Sequence, residues 1–521
     1  LEASNAINFH NNPYLNLDGR GVLIAILDTG IDYLNEEFQR EDGTTRILRI
    51  WDQTIDSKGD IYGVKLGTEY TREQINEAIK ASRNGEDPYK IVPSKDENGH
   101  GTMAAGIAGA RGQNETVIGA APAVDFVIVK LKEINNNMLK YSGVDADNRW
   151  KYDSTNILLA NRYVSLVSSE MKRPVVLLFN LGTNIGAHDG KDEISGSIDV
   201  FSRQARAICV TGTGNQGDTD THFEGTFNEI GNKSTIEIKI SEKQKSLGFQ
   251  IWAKIPDVIA VSIVSPSGEI IDKISSKTTH AERVKFVYEG TEMMIKYDLS
   301  NEQNGNESIG IKAFNLKPGI WKFIIYGEYL VNMKYWSWLP QRELLNGDTK
   351  FLEPNQYITL TIPSVSDTAL SVAYYNQNNN ATVGSSGRGY TLDGTIKPDI
   401  AAGGINAPII KLNGGVGVSS GSSVAASLVA GICALILEWA VIDNNKPEIY
   451  SKEITSYVIR GVNTRKGDSY PNPEWGYGTI DVNKVFEALR GEYNRNSKNE
   501  KKYEEYNLRN LFIRIPINQS Q

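Results

Sequence analysis

Runs made mostly of consecutive apolar residues recur in the first part of the chain. They lie at 21–27, 123–131, 175–180 and 207–211. Continuous rather than alternating hydrophobicity is typical of strands buried on both faces of a parallel sheet. A helix-compatible stretch at 154–170 separates two of the runs. This alternation predicts an α/β domain in which helices flank a parallel sheet.

The pattern changes to a period of two from about residue 232. Isoleucines at 236, 238 and 240 alternate with charged residues, as in a strand with one solvent-facing side. Further strand-like segments follow at 249–255, 260–264, 284–288, 293–297, 309–314 and 321–326. About eight short strands with no helix between them predict a jelly-roll-like antiparallel β-sandwich. The α/β pattern resumes near residue 357 and persists to about 491.

These changes of pattern divide the chain into predicted segments. They are an N-terminal segment at 1–20, the first part of the α/β domain at 21–231, the inserted sandwich at 232–352, the second part of the α/β domain at 353–491 and a charged tail at 492–521. The tail contains the charge-dense run 499–505, to which we assign no function because such runs are usually solvated.

Composition narrows the class of protein further. The chain of 521 residues has 55 basic and 63 acidic side chains and a net charge of −8, which disfavours a nucleic-acid partner across its whole surface. Cys209 and Cys433 lie inside apolar runs and are expected to be buried small hydrophobic residues. The apolar stretch 424–437 is shorter than the roughly 20 residues that span a bilayer. We therefore expect a buried core helix and a soluble protein without a membrane span.

Three short segments each combine glycine with one reactive side chain. Asp28 follows the first apolar run and so lies at the carboxyl end of a strand, where catalytic groups gather in parallel sheets. His100 stands between two glycines at the start of a helix-compatible stretch of small residues. Ser423 lies where a Gly/Ser-rich loop enters the most apolar helix, at the positive end of the helix dipole. Each segment alone is weak evidence, but together they supply the groups of a proton-shuttling triad.

The order of these residues along the chain, Asp, His and then Ser, is that of subtilisin. The motifs around all three match, and the chain resembles the subtilisin-like serine proteases, the subtilases of peptidase family S8. The resemblance implies a serine endopeptidase in which Ser423 is the nucleophile, His100 the general base and Asp28 the group that orients the imidazole. It also implies one oxyanion donor and four substrate-binding residues, which are Asn215 and then Asn180, Leu181, Gly182 and Gly214.

The chain departs from the subtilisin pattern in its spacing and in two serines. Asn215 and Ser423 lie 208 positions apart, against roughly 66 in subtilisin. The excess falls on the predicted sandwich, which we interpret as an insertion rather than a catalytic element. Ser422 and Ser427 replace a threonine and a proline that the family usually has, but neither supplies a catalytic atom. Asp-Thr-Gly at 28–30 would also suit an aspartic protease, but the second such motif that this class needs does not occur.

The position of the insertion, together with the segment 46–53, resembles the clostridial Csp germination proteases. This resemblance implies an enzyme in the outer layers of bacterial spores that activates the zymogen of a cortex-lytic hydrolase by limited proteolysis. It also implies an N-terminal prodomain that is removed by self-cleavage and can remain bound as a separate chain. The start at Leu1, without an initiator methionine, is compatible with such processing and equally with cloning.

Two alternative functions stay open, and no cofactor is expected for catalysis. One is a secreted or envelope subtilase of broad specificity, and the other is a non-catalytic signalling protein, against which the complete triad argues. His222 could line the substrate cleft, although a place in surface or loop structure is favoured. The histidines outside the triad lack the spacing of a zinc site, so we predict no metal centre. No acidic loop has calcium-ligand spacing, and a structural calcium ion stays undecided.

Overall fold

The predicted apolar runs form neighbouring strands of one mixed sheet in the computed structural model, which describes residues 1–10, 12–56, 59–114, 116–144, 151–229, 232–276 and 281–499. The strands of the first part are β1 (Leu23–Asp28), β2 (Ile47–Asp52), β3 (Thr68–Thr71), β4 (Asp125–Lys130), β5 (Val175–Phe179) and β6 (Ala207–Gly212). Its helices are α1 (Arg72–Arg83), α2 (His100–Gly109), α3 (Asn136–Tyr141), α4 (Ser154–Met171) and α5 (Glu193–Ser202).

An antiparallel β-sandwich follows. Its strands are β7 (His222–Thr226), β8 (Lys233–Ile240), β9 (Ser246–Ala253), β10 (Val258–Val264), β11 (Ile270–Ile274), β12 (Glu282–Lys285), β13 (Glu292–Asp298), β14 (Glu307–Phe314), β15 (Gly319–Tyr329), β16 (Lys334–Trp338) and β17 (Lys350–Phe351). One sheet has the order β11-β10-β15-β8-β17 and the other β12-β13-β14-β9-β16-β7. Both sheets contribute to one buried core, which includes the isoleucines at 236, 238 and 240. The predicted inserted sandwich is confirmed.

The rest of the chain returns to the mixed sheet. This part contains β18 (Leu370–Asn376), β19 (Ala381–Thr382), β20 (Ile400–Gly403), β21 (Ala407–Ile410), β22 (Val416–Ser419), β23 (Val462–Asn463) and β24 (Thr479–Ile480), of which β21 and β22 form a separate two-stranded sheet. Its helices are α6 (Ser422–Leu437), α7 (Ser451–Arg460) and α8 (Val482–Asn499). The mixed sheet has the order β23-β24-β20-β18-β6-β5-β1-β4-β2-β3, with β19 paired to β18. Six neighbouring strands run parallel, namely β18, β6, β5, β1, β4 and β2. Their carboxyl ends therefore share one edge of the sheet.

The central strand β1 is buried on both faces, as its continuous hydrophobicity predicts. Ile24 and Ile26 pack in a core with α2 and α6. Leu23, Ala25 and Leu27 pack on the opposite face with α4. The predicted α/β class, a parallel sheet flanked by helices, is therefore confirmed.

Helix α6 lies inside this architecture, and every one of its residues except Ser423 is buried. Among the described residues, the helical stretch Ser422–Ile442 is long and apolar enough to cross a membrane, but 83% of its most apolar part is buried within the protein. The predicted core helix is confirmed.

The segment 357–369 differs from its predicted α/β character, since β18 begins only at Leu370. The Thr361 amide instead donates to the Thr213 carbonyl at 3.1 Å, while Ile362 exchanges backbone hydrogen bonds with Thr183. These contacts hold the segment against the residues that follow β5 and β6, where backbone groups beyond the strand ends need partners.

The predicted segment boundaries stay predictions. Strand β7 already belongs to the sandwich although it precedes residue 232, and α8 continues past residue 491 to Asn499. Residues 500–505 of the charge-dense run lie outside the described residues.

Candidate active site

Asp28 is the last residue of β1, and its side chain is fully buried. The backbone amide of Thr29 donates to Asp28 Oδ1 at 2.7 Å. Burial of a carboxylate requires such donors, because an unpaired charge away from water is very costly. The strand therefore delivers a fixed acceptor to the edge of the sheet where parallel strands end.

His100 is the first residue of α2, and its Nδ1 lies 2.8 Å from each carboxylate oxygen of Asp28. The close approach depends on Gly101, where a Cβ atom would lie only 2.1 Å from the Gly30 carbonyl oxygen. A residue with a side chain at 101 would push the helix away from the end of β1. Glycine here thus sets the distance between the imidazole and the carboxylate.

Asp96 holds the loop before His100 in place, and our sequence prediction missed it. Its buried carboxylate accepts hydrogen bonds from the Thr29 and Thr102 hydroxyls at 2.8 and 2.7 Å. It also accepts from the backbone amides of Asn98, Gly99 and Thr102. The available signal was an Asp shortly before Asn-Gly, a pattern typical of an Asx turn.

Ser423 is the second residue of α6, and its Oγ lies 3.1 Å from His100 Nε2. Asp28 can accept only from Nδ1–H, so Nε2 of the neutral ring is the atom left to accept the serine proton. The structure thus joins Asp28, His100 and Ser423 into one hydrogen-bonded chain. Such a chain can activate a hydroxyl for attack on an acyl carbon.

Two opposed influences act on the imidazole of His100. Burial alone would lower its pKa, because it disfavours the charged ring. The charge of Asp28 and the hydrogen bond to it outweigh burial, so the pKa of His100 is raised above its usual value. The side chain remains 31% exposed, which leaves the ring open to a substrate.

Asn215 lies beside Ser423 at the wall of the cleft. Its Oδ1 accepts a hydrogen bond from the Ser422 backbone amide at 3.0 Å. This contact fixes the orientation of the amide group and leaves Nδ2 as the donor toward the cleft. A donor there can stabilise negative charge that develops on a carbonyl oxygen attacked by Ser423.

The four predicted substrate-binding residues occupy two kinds of position. All of them line the same cleft as Ser423, and Leu181 is also partly packed on the core. Asn180 differs from the other three in the direction of its side-chain amide. Its Nδ2 donates to Ser427 Oγ at 3.0 Å, and that hydroxyl donates to the Ser423 carbonyl at 2.7 Å. Asn180 therefore supports the helix from behind the nucleophile, and Ser427 contributes a hydrogen bond that the usual proline cannot make.

The sandwich forms part of the cleft, which our sequence prediction did not foresee. The cleft has a volume of about 780 Å³, and side chains of the insertion such as Trp252 line it. Gln341 Nε2 donates a hydrogen bond to the Gly182 carbonyl. Gln216, next to Asn215, accepts from the Arg342 amide and donates to Glu343, both at 2.9 Å. The insertion thus contacts the substrate-binding segment and the oxyanion loop directly.

His188 and His222 both pack against one tryptophan, and neither is among the residues that line the cleft. Their rings stack on Trp338 with centroids 4.2 and 4.8 Å away. Burial lowers the pKa of His188 to about 4 and that of His222 to about 3. His222 is only 1% exposed and begins β7, so the surface or loop position that the sequence favoured is wrong.

No metal site and no disulfide emerge from the described part of the chain. It contains no group of three or more His, Cys, Asp or Glu side chains placed to hold a metal ion. Cys209 and Cys433 are free and buried, as predicted.

Comparisons with known proteins agree with this geometry. The model of the subtilase family matches residues 19–311 and 346–478. Among solved structures, the CspB protease of Clostridium perfringens is similar over 94% of this chain and 97% of its own, with 30% identity and a TM-score of 0.83. Among curated proteins, pyrolysin of Pyrococcus furiosus is 32% identical over 114 residues, which are 20% of this chain and 8% of pyrolysin. The chain thus matches only a small part of pyrolysin's length.

Proposed function

This chain belongs to the subtilase family of subtilisin-like serine endopeptidases, and we propose that it makes a few specific cuts that activate the zymogen of a cortex-lytic hydrolase during spore germination. The proposal places the enzyme in the outer layers of the spore. It also assigns it a second partner, its own cleaved N-terminal prodomain.

The chemistry follows from the hydrogen-bonded chain. Ser423 Oγ attacks the carbonyl carbon of the scissile bond while His100 Nε2 takes the hydroxyl proton, and Asp28 stabilises the resulting imidazolium. The negative charge on the former carbonyl oxygen is stabilised by Asn215 Nδ2 and the Ser423 amide. The C–N bond then breaks as His100 returns the proton to the leaving amine, and water hydrolyses the acyl ester by the same route.

One observation favours few cuts over general degradation, namely the wall that the insertion adds to the cleft. Gln341 is bonded to the Gly182 carbonyl, an acceptor that an extended substrate could otherwise pair with by strand addition. Trp252 and Glu343, also from the insertion, line the same cleft as Ser423. A substrate must fit this wall as well as the triad, and a fixed wall excludes partners that clash with it.

The similarity to the CspB protease supports the same conclusion, because it extends over nearly the whole of both chains. The spore zymogen and the prodomain are proposed as partners on the basis of the resemblance to the Csp germination proteases. A non-catalytic role is disfavoured, since Asp28, His100 and Ser423 are hydrogen-bonded in sequence.

The test is a competition between a folded zymogen and an unfolded bystander. The purified enzyme is incubated with a cortex-lytic zymogen and an equal mass of reduced, alkylated casein, and Ser423→Ala serves as the matched control. We expect one new N-terminus in the zymogen, a gain of peptidoglycan hydrolysis and slow loss of casein.

Two results would contradict this proposal in different ways. Casein that is degraded to short peptides as fast as the zymogen is cut would favour the broad-specificity alternative. Cleavage that persists in Ser423→Ala would assign the activity to a contaminant.

A further inference from the structure

The oxyanion donor Asn215 lies in a loop that the subtilase domain holds at two points. Gly214 and Gly217 each share a backbone hydrogen bond of 3.1 Å with the segment 385–387. These two contacts flank Asn215 and Gln216. An oxyanion donor is effective when it lies about 2.7–3.1 Å from the developing charge. The exact placement of the residues between the two contacts therefore matters for the rate of reaction.

Gln216 is held by the inserted sandwich, and the residue is only 4% exposed. Its Oε1 accepts from the Arg342 amide, and its Nε2 donates to Glu343 Oε2, each at 2.9 Å. The Thr219 hydroxyl adds a longer contact to Oε1 at 3.3 Å. A buried side-chain amide needs partners for both its oxygen and its nitrogen. Because the sandwich supplies one partner for each, it fixes the orientation of this side chain.

The turn Arg342–Leu344 that makes these contacts is itself anchored in the sandwich. The Arg342 guanidinium donates to the Thr349 carbonyl at 2.9 Å, which closes the loop behind the turn. The residue after the turn, Leu345, is buried in the sandwich core. Gln216 is therefore bonded to a fixed part of the insertion.

We propose that Gln216 is a positioning residue through which the inserted sandwich sets the place of Asn215 in the oxyanion site. The two residues share one planar peptide group, so a displacement of one is passed to the backbone of the other. The sandwich then contributes to the rate of the chemical step as well as to the shape of the cleft. This proposal rests on the serine protease chemistry described above and deepens it by giving the insertion a part in transition-state stabilisation.

The experiment measures kcat and KM with a peptide p-nitroanilide that the natural enzyme cuts. Gln216→Met keeps the approximate length of the side chain and removes the amide. Its kcat should fall about 10–100-fold, because a misplacement of about 1 Å can cost about 10² in rate. KM should change little, since the oxyanion forms only in the transition state. A folded Gln216→Met with an unchanged kcat, or with a loss confined to KM, would overturn the proposal.

A double-mutant cycle tests whether Gln216 acts through Asn215. Once Asn215→Leu has removed the donor, the placement of residue 215 no longer affects the oxyanion. Addition of Gln216→Met to that variant should then lower kcat by less than about twofold, within the usual scatter of such cycles. An equal loss in both backgrounds would show that Gln216 acts independently of Asn215, and the proposal would be wrong.

An exchange of the two bonded side chains provides a rescue. Gln216→Glu alone places two carboxylates against each other, and kcat should fall as in Gln216→Met. Gln216→Glu combined with Glu343→Gln keeps an acceptor for the Arg342 amide and allows the hydrogen bond between 216 and 343 to form in the opposite direction. This double variant should recover most of the lost kcat. A folded double variant that recovers none of it would contradict the proposed contact.

Trp321→Phe is the control for general bracing by the insertion. Trp321 is fully buried in the sandwich core, so this variant should lower the melting temperature while kcat stays near that of the natural enzyme. If kcat falls here as it does in Gln216→Met, the insertion acts through stability alone and the proposal is wrong.

The outcomes also separate this proposal from the proposed function. A peptide substrate reports on Gln216 whichever protein is cut in the spore. Failure of the natural enzyme, freed of any copurifying prodomain, to be labelled at Ser423 by a fluorophosphonate probe would instead refute the serine protease assignment.

Discussion

We propose two roles for Asn215, and two substitutions separate them. Its Nδ2 is placed to stabilise the developing oxyanion, while its Oδ1 accepts from the Ser422 amide at the start of α6. Asn215→Leu keeps the approximate size of the side chain and removes both roles. Asn215→Asp retains an acceptor for Ser422 but removes the donor.

The expected magnitudes differ for the two roles. Loss of one of two oxyanion donors costs about 2.7–4 kcal/mol, or about 10²–10³ in kcat, in either variant. KM should change little, because the donor acts on charge that appears only in the transition state. In Asn215→Leu the amide of Ser422, a buried residue, also loses its partner, which costs about 1–3 kcal/mol of folding stability. Asn215→Asp avoids that cost, and a negative charge is favourable near a helix N-terminus.

The assay pairs kcat and KM on a peptide substrate with thermal unfolding of each variant. We expect both variants to lose activity, with Asn215→Asp losing at least as much because its charge repels the oxyanion. Only Asn215→Leu should melt at a lower temperature. A kcat within tenfold of the natural enzyme in Asn215→Leu, or a loss confined to KM, would refute the assignment of Asn215 as the oxyanion donor.

Three further outcomes follow from the triad and the insertion. Ser423→Ala should abolish turnover while circular dichroism and melting stay unchanged, and peptidase activity retained by that variant would reject Ser423 as the nucleophile. Asp28 raises the pKa of His100, and only the neutral ring can act as base. The midpoint of the acid limb in the pH profile of kcat/KM should therefore lie above pH 6.5. An acid limb below pH 6.5 in the natural enzyme would contradict the raised pKa of His100. Asp28→Asn should lower kcat about 10⁴-fold. Deletion of residues 232–350 should lower the melting temperature or the soluble yield, because it removes Trp338, on which both His188 and His222 stack. Unchanged melting would favour a docking role for the insertion.

Local sequence was sufficient for much of the fold and for the residues that form the triad. Each triad member lies at an element boundary with its own short signature, such as the strand end at Asp28 and the helix start at His100. The sandwich was predictable because a period of two marks a strand with one buried face, and the isoleucines from 236 to 240 show it plainly.

The shape of the cleft was decided only by the tertiary structure. Gln341 reaches the Gly182 carbonyl, and Thr361 fills the gap between Gly182 and Gly214, across separations of well over a hundred residues. Neither residue stands in a motif. Gln341 pairs with a backbone carbonyl oxygen that is distant in sequence, and Thr361 occupies space that is free because two distant glycines have no side chain. Patterns along a chain report on which face of an element is buried, whereas the free space beside a catalytic atom depends on how distant segments pack together.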